Sequence, residues 1–215
     1  MGLALEVGLL ADLRVNDEEG YEHLTQQFVL INEALKAEDL PSHNEPVELD
    51  RIWSCGMYGY SGLHYLRRIA AHIWNNGKLP GPGDRNVPDD PLILDAICMV
   101  NATPFQHLLC HSDSQGYYLP IDFEDVIYPD RKLKIAGEMI GSSYRLLAKC
   151  ERLAAVLELP LDLDHNDKSV WEAVEHQGAK SKEKWQSYGI ESFTCLALVN
   201  ACRVSIQVGA AIVFH

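Results

Sequence analysis

Residues 105–123 read FQHLLCHSDSQGYYLPIDF, and this stretch decides the fold class. Two runs rich in apolar and aromatic residues, 105–111 and 117–123, flank a short polar segment that ends in glycine. This pattern is typical of a β-hairpin. Pro120 has no N–H to donate to a sheet ladder, so the second strand is expected at a sheet edge or at a bulge. The centre of the chain is therefore predicted to be a hairpin.

Helical patterns surround this hairpin on both sides. Apolar residues recur at spacings of three and four, which predicts helices over 17–35, 61–76, 143–157 and 190–208, with a shorter helix near 169–176. Asn16 is expected to cap the first helix, and Ser142 or Ser143 the third. Because strands and helices do not alternate, we predict an α+β fold. Four to five helices would pack on a small, mainly antiparallel sheet that contains the central hairpin.

The length of 215 residues suits one domain, and we predict a single domain over residues 1–215. Residues 78–91 contain four prolines and two glycines, so they are expected to form a long exposed loop. The C-terminal residues 210–215 are mostly apolar. We expect them to be buried, either in the core or in a homo-oligomer interface between two copies of the chain.

Charge is distributed unevenly along the chain. The net charge is −13, and residues 1–50 hold 12 acidic and two basic residues, so this quarter carries −10 of it. A negative field repels nucleic acid and anionic membranes, and we expect neither as a partner. The apolar stretch 193–214 contains Arg203, which is costly inside a membrane, so we interpret the stretch as a buried helix.

The cysteines and the N-terminus indicate the compartment. The six cysteines include no Cys-x-x-Cys pair, which excludes the common zinc and thiol-redox motifs. The N-terminal segment has no basic region ahead of its apolar residues, so it does not match a secretory signal. We therefore expect a cytoplasmic protein whose cysteines are reduced and buried.

Acidity and aromatic residues together predict an interaction protein rather than an enzyme. A negative surface accelerates association with a basic protein partner and suppresses wrong partners. We predict that the chain is non-enzymatic, holds no cofactor, and binds such a partner as an inhibitor of the immunity type or as an adaptor. The predicted contact residues are acids at the start of the first helix and aromatic residues near loops: Asp17, Glu18, Glu19, Glu22, Trp53, Tyr58, Tyr60 and Tyr117.

The alternative is a metal-dependent hydrolase. His107, His111 and Asp113 share one face of the predicted hairpin, since alternate residues of a strand point the same way. Two imidazoles and a carboxylate can hold zinc or iron with an open position, and the metal would activate a water molecule. A small-molecule sensor with an apolar pocket also stays open, because such a pocket leaves no mark on a single sequence.

Overall fold

The computed structural model describes residues 3–57, 59–82, 87, 90–93, 103–112 and 114–215, without the side chains of residues 59–61. The α-helices with both ends among the described residues are α1 (Leu9–Asn16), α2 (Glu18–Ala37), α3 (Gly59–Asn76), α4 (Gln106–Leu109), α5 (Ser143–Leu157), α6 (Lys168–Glu175), α7 (Lys184–Ser187) and α8 (Gly189–Val208). The strands are β1 (Ala4–Val7), β2 (Trp53–Gly56), β3 (Gly116–Leu119), β4 (Ile140–Ser142) and β5 (Ile212–Phe214).

The five strands form one sheet in the order β2-β1-β5-β3-β4. Three of the neighbouring pairs are antiparallel, and only β3 and β4 run parallel. The α+β class and the mainly antiparallel sheet are therefore confirmed. The described residues form more helices than the four to five expected, because short helices such as α1, α4 and α7 have too few residues to show a period.

The first strand of the predicted hairpin is a helix instead. Residues 106–109 form α4, and the following β3 pairs with β5 and β4 rather than with the segment before it. Phe105, Leu108 and Leu109 are buried, and their spacing of three and four suits one helical turn. A short apolar run fits a strand or a buried helix equally well, and here packing selected the helix.

The sheet separates two hydrophobic cores. On one face, Leu3, Leu5 and Val7 of the N-terminal segment pack with side chains from α3, α5, α6 and α8. On the other face, Tyr117 and Val213 pack against α1 and α2. The strands thus alternate between two apolar layers, and α2 is the outer layer on its side of the sheet.

Helix α8 is the central helix of the larger core. It packs against α3, α5 and α6, and most of its residues are buried. By length and composition it could cross a membrane, but 78% of its apolar window is buried inside the protein. The prediction of a buried helix is confirmed for residues 193–208, whereas Ile212–Phe214 at the end of the stretch form strand β5.

The C-terminal strand β5 lies in the middle of the sheet. It pairs with β1 on one side and with β3 on the other, and residues 210–214 are buried. Of the two expected sites of burial, the core is therefore the one that the structure shows. A homo-oligomer through this segment is not supported, because both edges of β5 are already paired within the chain.

Side chains that cap helices fix where two of them begin. The Asp17 carboxylate accepts a hydrogen bond from the Gly20 N–H at 3.0 Å, so Asp17 and not Asn16 caps α2. The Ser142 hydroxyl accepts from the Arg145 N–H at 3.3 Å and caps α5, as expected. Five cysteines are described, all buried and none in a disulfide bond among the described residues: Cys55, Cys110, Cys150, Cys195 and Cys202.

The predicted loop 78–91 is anchored at both ends. The Tyr188 hydroxyl donates to the Pro80 carbonyl at 2.7 Å, and Arg68 of α3 binds the carbonyl of Gly81 and the carboxylate of Asp90. Residues 83–86, 88 and 89 of this loop lie outside the described residues. The described ends are therefore held by α3 and by Tyr188, which precedes α8.

Candidate acidic interaction surface

Helix α2 carries a buried face and an outer face along its whole length. Its 20 residues span about 30 Å at 1.5 Å per residue. Leu24, Phe28, Ile31 and Leu35 are buried against the sheet at spacings of four, three and four. The opposite side of the helix is exposed. We call it the α2 outer face, and it consists of Glu18, Glu22, Thr25, Gln26, Val29, Glu33 and Lys36.

The acids of this face stand in two groups. At 3.6 residues per turn, all seven positions fall within about 100° around the helix axis. Glu18 and Glu22 are about 6 Å apart along the axis, whereas Glu22 and Glu33 are about 16.5 Å apart. Exposed Glu19 lies beside the first group, and exposed Glu38 and Asp39 follow the C-terminal end. The middle of the face is uncharged.

The carboxylates of the α2 outer face are not neutralised by the protein. Within the described residues, Glu18, Glu22 and Glu33 form no ion pair. Lys36, which is exposed one turn after Glu33 on the same face, is the sole lysine or arginine of α2 and forms no ion pair with it within the described residues. Exposed carboxylates without a cation partner keep their full field toward solvent, so the face attracts cationic side chains of another molecule.

Two buried polar clusters hold α2 in place. The Gln27 side chain accepts hydrogen bonds from the Tyr117 hydroxyl at 3.4 Å and from the Ala136 N–H at 2.9 Å. The Asn32 side-chain amide accepts a hydrogen bond from the His43 N–H at 2.7 Å and donates one to the His43 carbonyl at 2.9 Å. These contacts tie the buried side of α2 to the sheet and to the loops beside it. The outer face is therefore presented on a rigid support.

A buried imidazole–carboxylate pair extends the second cluster to the centre of the sheet. The His43 Nε2 lies 2.5 Å from the Glu45 carboxylate, which also accepts from the Ala211 N–H at 2.8 Å. Burial raises the pKa of Glu45 above its ordinary value. Sequence reasoning missed this pair, because two polar residues in a loop carry no signal that they will be buried.

The predicted acidic contact residues lie where a partner can reach them, with one difference. Glu18, Glu19 and Glu22 are exposed on the first turns of α2. Asp17 is also exposed, but one of its carboxylate oxygens caps the helix. Its substitution would weaken the helix as well as the surface.

The predicted aromatic contacts do not form one surface. Tyr117 is 3% exposed on β3, beneath α2, and burial raises the pKa of its hydroxyl to about 12. The structure therefore contradicts its role as a contact residue, because α2 covers it from a part of the chain 90 residues away. Trp53 is half-buried on β2, with its ring 5.6 Å from that of His165. Tyr58 and the side chain of Tyr60 lie outside the described residues.

The ring nitrogens of the two histidines of the alternative metal site all contact backbone groups. His107 accepts from the Ser142 N–H at 3.1 Å through Nδ1 and donates to the Glu124 carbonyl at 2.9 Å through Nε2. Both ring nitrogens of His111 lie 3.0 Å from backbone carbonyl oxygens. Burial lowers the pKa of each imidazole to about 4.

These histidines therefore connect elements of the fold. Asp113 lies outside the described residues, and the part of the chain that is described holds no group of three His, Cys, Asp or Glu side chains that could bind a metal. The shared strand face that we predicted for His107 and His111 does not exist, because His107 is on α4 and His111 follows it in a turn.

Known protein families include one whose sequence pattern this chain shares over nearly its whole length. A family model described as "Putative DNA-mimic protein" matches residues 1–214. The chain belongs to this family. No curated protein and no solved structure matches it.

Membership of the DNA-mimic family corrects the function prediction. An inhibitor of the immunity type or an adaptor was expected, with a metal-dependent hydrolase as the alternative, and both are wrong: the family indicates a DNA mimic. A basic protein partner is compatible with the family, because proteins that bind DNA are basic where they contact it. The acidic composition of the chain predicted that the partner is basic. It did not predict that the acidic residues imitate DNA.

Proposed function

We propose that this member of the DNA-mimic family binds a basic DNA-binding protein at its DNA site and keeps DNA away from it. The α2 outer face is the contact surface. The observation that carries this proposal is the set of exposed carboxylates on α2, which form no ion pair within the described residues, in a chain of that family. The mimic and DNA would then compete for the same cations of the partner.

The physical basis is the way proteins hold DNA. A duplex presents about one negative charge per 1.7 Å of axis, and its partners neutralise these charges with lysine and arginine. Carboxylates on a helix offer the same cations an anionic oxygen acceptor at a fixed position. Because α2 is held by the core and by Gln27 and Asn32, little backbone conformational entropy is lost when the partner binds.

Competition with DNA is the test of this proposal. The immobilised chain is incubated with a lysate of its native host at low salt, and bound proteins are eluted with duplex DNA. We expect a basic DNA-binding protein in the eluate. The free chain should then release a labelled duplex from that purified protein. If duplex DNA displaces nothing, or if the released proteins do not bind DNA, the proposal is wrong.

Two variants of equal charge locate the surface. Glu18→Gln, Glu22→Gln and Glu33→Gln together remove three charges from the α2 outer face. Asp162→Asn, Glu175→Gln and Glu183→Gln remove three exposed charges elsewhere. We expect the first variant to bind about tenfold more weakly at low salt, since each exposed pair contributes about 0.2–1 kcal/mol. Equal binding by the two variants would contradict the assignment of the surface.

A further inference from the structure

A groove lies between α1 and the segment that precedes β2. It has a volume of about 340 Å³, and we call it the α1 groove. Its lining residues are Ala11, Arg14, Val15, Val47, Glu48 and Leu49. Val15 and Val47 are two of the six large hydrophobic side chains that are exposed among the described residues. Single exposed apolar side chains are ordinary at a protein surface, whereas two that line one concavity indicate a contact site.

Neither valine belongs to the hydrophobic cores of the fold. Val15 is 81% exposed, the highest value of any large hydrophobic side chain among the described residues, and Val47 is 39% exposed. The leucines of α1, Leu9, Leu10 and Leu13, pack on the core that contains α2. At 100° per residue, Val15 lies about 120° or more from each of them around the helix axis. It therefore points away from the core.

The two walls of the α1 groove are fixed to each other. The Arg14 guanidinium donates to the Val47 carbonyl at 3.3 Å and to the Glu48 carboxylate at 2.8 Å. The Leu49 side chain lies against Gly8, where an added Cβ would come within 2.5 Å of the Leu49 Cδ1. Because these contacts form the groove before a partner arrives, binding there costs little backbone conformational entropy.

The surroundings of the α1 groove are acidic. Residues within four positions of Val15 or Val47 have Cα atoms within about 15 Å of theirs, because consecutive Cα atoms are 3.8 Å apart. Apart from the buried pair of His43 and Glu45, the charged residues in this range are six carboxylates, Asp12, Asp17, Glu18, Glu19, Glu48 and Asp50, against the guanidinium groups of Arg14 and Arg51. An apolar side chain flanked by lysine or arginine therefore complements this site, and one flanked by acidic residues does not.

We infer that the α1 groove binds an apolar side chain of the partner that lies next to the lysine and arginine residues with which the partner contacts DNA. This inference rests on the proposed function and adds a second kind of contact to it. The α2 outer face binds the cations, and the α1 groove binds the apolar side chain beside them. Attraction between exposed charges weakens as salt is added, whereas burial of apolar surface does not. Phosphates offer no apolar contact, so the advantage of this chain over DNA increases with salt.

Two peptides of equal charge test the chemistry of the groove. Each has six lysines and capped ends, with Leu-Leu at the centre of one and Ser-Ser at the centre of the other. We expect the parent chain to bind the leucine peptide at least about threefold more tightly, and the Val15→Ser, Val47→Ser variant to bind both peptides equally. Tyr144→Ser removes an exposed ring from α5, which packs on the other face of the sheet, and should keep the preference. Equal binding of the two peptides by the parent chain, or a preference that persists in the double serine variant, would overturn the inference.

A second double variant separates contact from folding. Val15→Ile and Val47→Ile keep apolar side chains at both positions, so this variant should bind the leucine peptide as tightly as the parent chain or more tightly. Thermal unfolding followed by circular dichroism compares the stability of the three chains. If the isoleucine variant loses the preference as the serine variant does, the valines act through the fold and the inference is wrong.

The DNA-binding protein that duplex DNA elutes from the immobilised chain gives the second readout. We expect the double serine variant to bind it about tenfold more weakly throughout the range of about 50–200 mM salt, with an unchanged slope of log K against log salt. The Glu18→Gln, Glu22→Gln, Glu33→Gln variant should instead make the slope shallower, because fewer charges pair. If the eluted protein binds the double serine variant as tightly as the parent chain, only this inference fails. If duplex DNA elutes no DNA-binding protein, the proposed function itself fails, whatever the peptides show.

Discussion

His107 and His111 show how one side chain can be misassigned when its partners are backbone groups. Both are 3% exposed or less. The ring of His107 binds main-chain atoms of Glu124 and Ser142, and the ring nitrogens of His111 face the carbonyl oxygens of Ser112 and Tyr117. A sequence shows which residues are histidines, but not which backbone carbonyl and amide groups will form hydrogen bonds with their rings. The same two residues that suggested a metal site therefore join α4 to the sheet and to the loop after β3.

These buried histidines predict a loss of stability in mild acid. In the unfolded chain they take up protons near pH 6.5, whereas in the folded chain burial lowers their pKa to about 4. Between pH 6.5 and 4 the unfolded state thus binds more protons than the folded state. The contribution of the two histidines to the free energy of unfolding is therefore complete above pH 6.5 and is lost as the pH falls toward 4. We expect the free energy of unfolding to fall by on the order of 2 kcal/mol or more.

Urea unfolding at pH 7.0, 5.5 and 4.5 measures this effect. His107→Asn should flatten the dependence on pH, because one of the two groups no longer titrates. His23→Asn is the matched control, since His23 is exposed on α2, and it should behave like the parent chain. A parent chain whose stability is constant between pH 6.5 and 4.5 would contradict the prediction.

At the scale of the element, the side chains of α2 that stabilise the fold and those available for binding lie on opposite sides of the helix. Its inner side chains pack on the sheet, and its outer side chains carry the charge and the free polar groups. The same 3.6-residue period that buries one side of the helix exposes the other. This division allows the surface to be changed without disturbing the fold.

Substitution on opposite sides of α2 tests this division. Ile31 is fully buried, so Ile31→Ala should lower the free energy of unfolding by about 2–5 kcal/mol through lost contacts and a cavity. Val29→Ala on the outer face should change it by less than about 0.5 kcal/mol. Chemical denaturation of both variants gives the comparison, and similar losses in the two would show that Val29 is also part of the core.

The element scale also shows how far the sequence could predict this fold. Helices α2, α3, α5 and α8 begin and end within two residues of the predicted positions, because their apolar period continues over 15 residues or more. The prediction of a strand over residues 105–111 is wrong, because this run is too short for its period to distinguish a strand from a helix. Pairing of strands was beyond prediction, since β5 and β1 come from opposite ends of the chain.

At the scale of the whole molecule, the C-terminal strand closes the fold. β5 joins the β2-β1 half of the sheet to the β3-β4 half, and its side chains enter both cores. The chain must therefore be nearly complete before the sheet can form. The acidic helix depends on this closure as well, because Glu45 binds the Ala211 N–H next to β5.

Removal of residues 209–215 should abolish cooperative folding. The truncated chain loses the central strand and leaves β1 and β3 without their shared neighbour, and a typical domain is stable by only about 5–15 kcal/mol. His215→Gln is the control, because it keeps the strand and removes only the ion pair of His215 with Glu6. Thermal unfolding followed by circular dichroism should show a transition in the control alone, and a normal transition in the truncated chain would refute the argument.

The sequence by itself determined the α+β class, the long helices, the buried C-terminal segment and the acidic N-terminal quarter, since these depend on local period and composition. Only the tertiary structure decided that Tyr117 and the histidines are internal, that β5 is central, and which carboxylates of α2 stay unpaired. These features depend on contacts between residues far apart in the chain. Spacing along the sequence carries no information about which distant segment will cover a side chain or neutralise a charge.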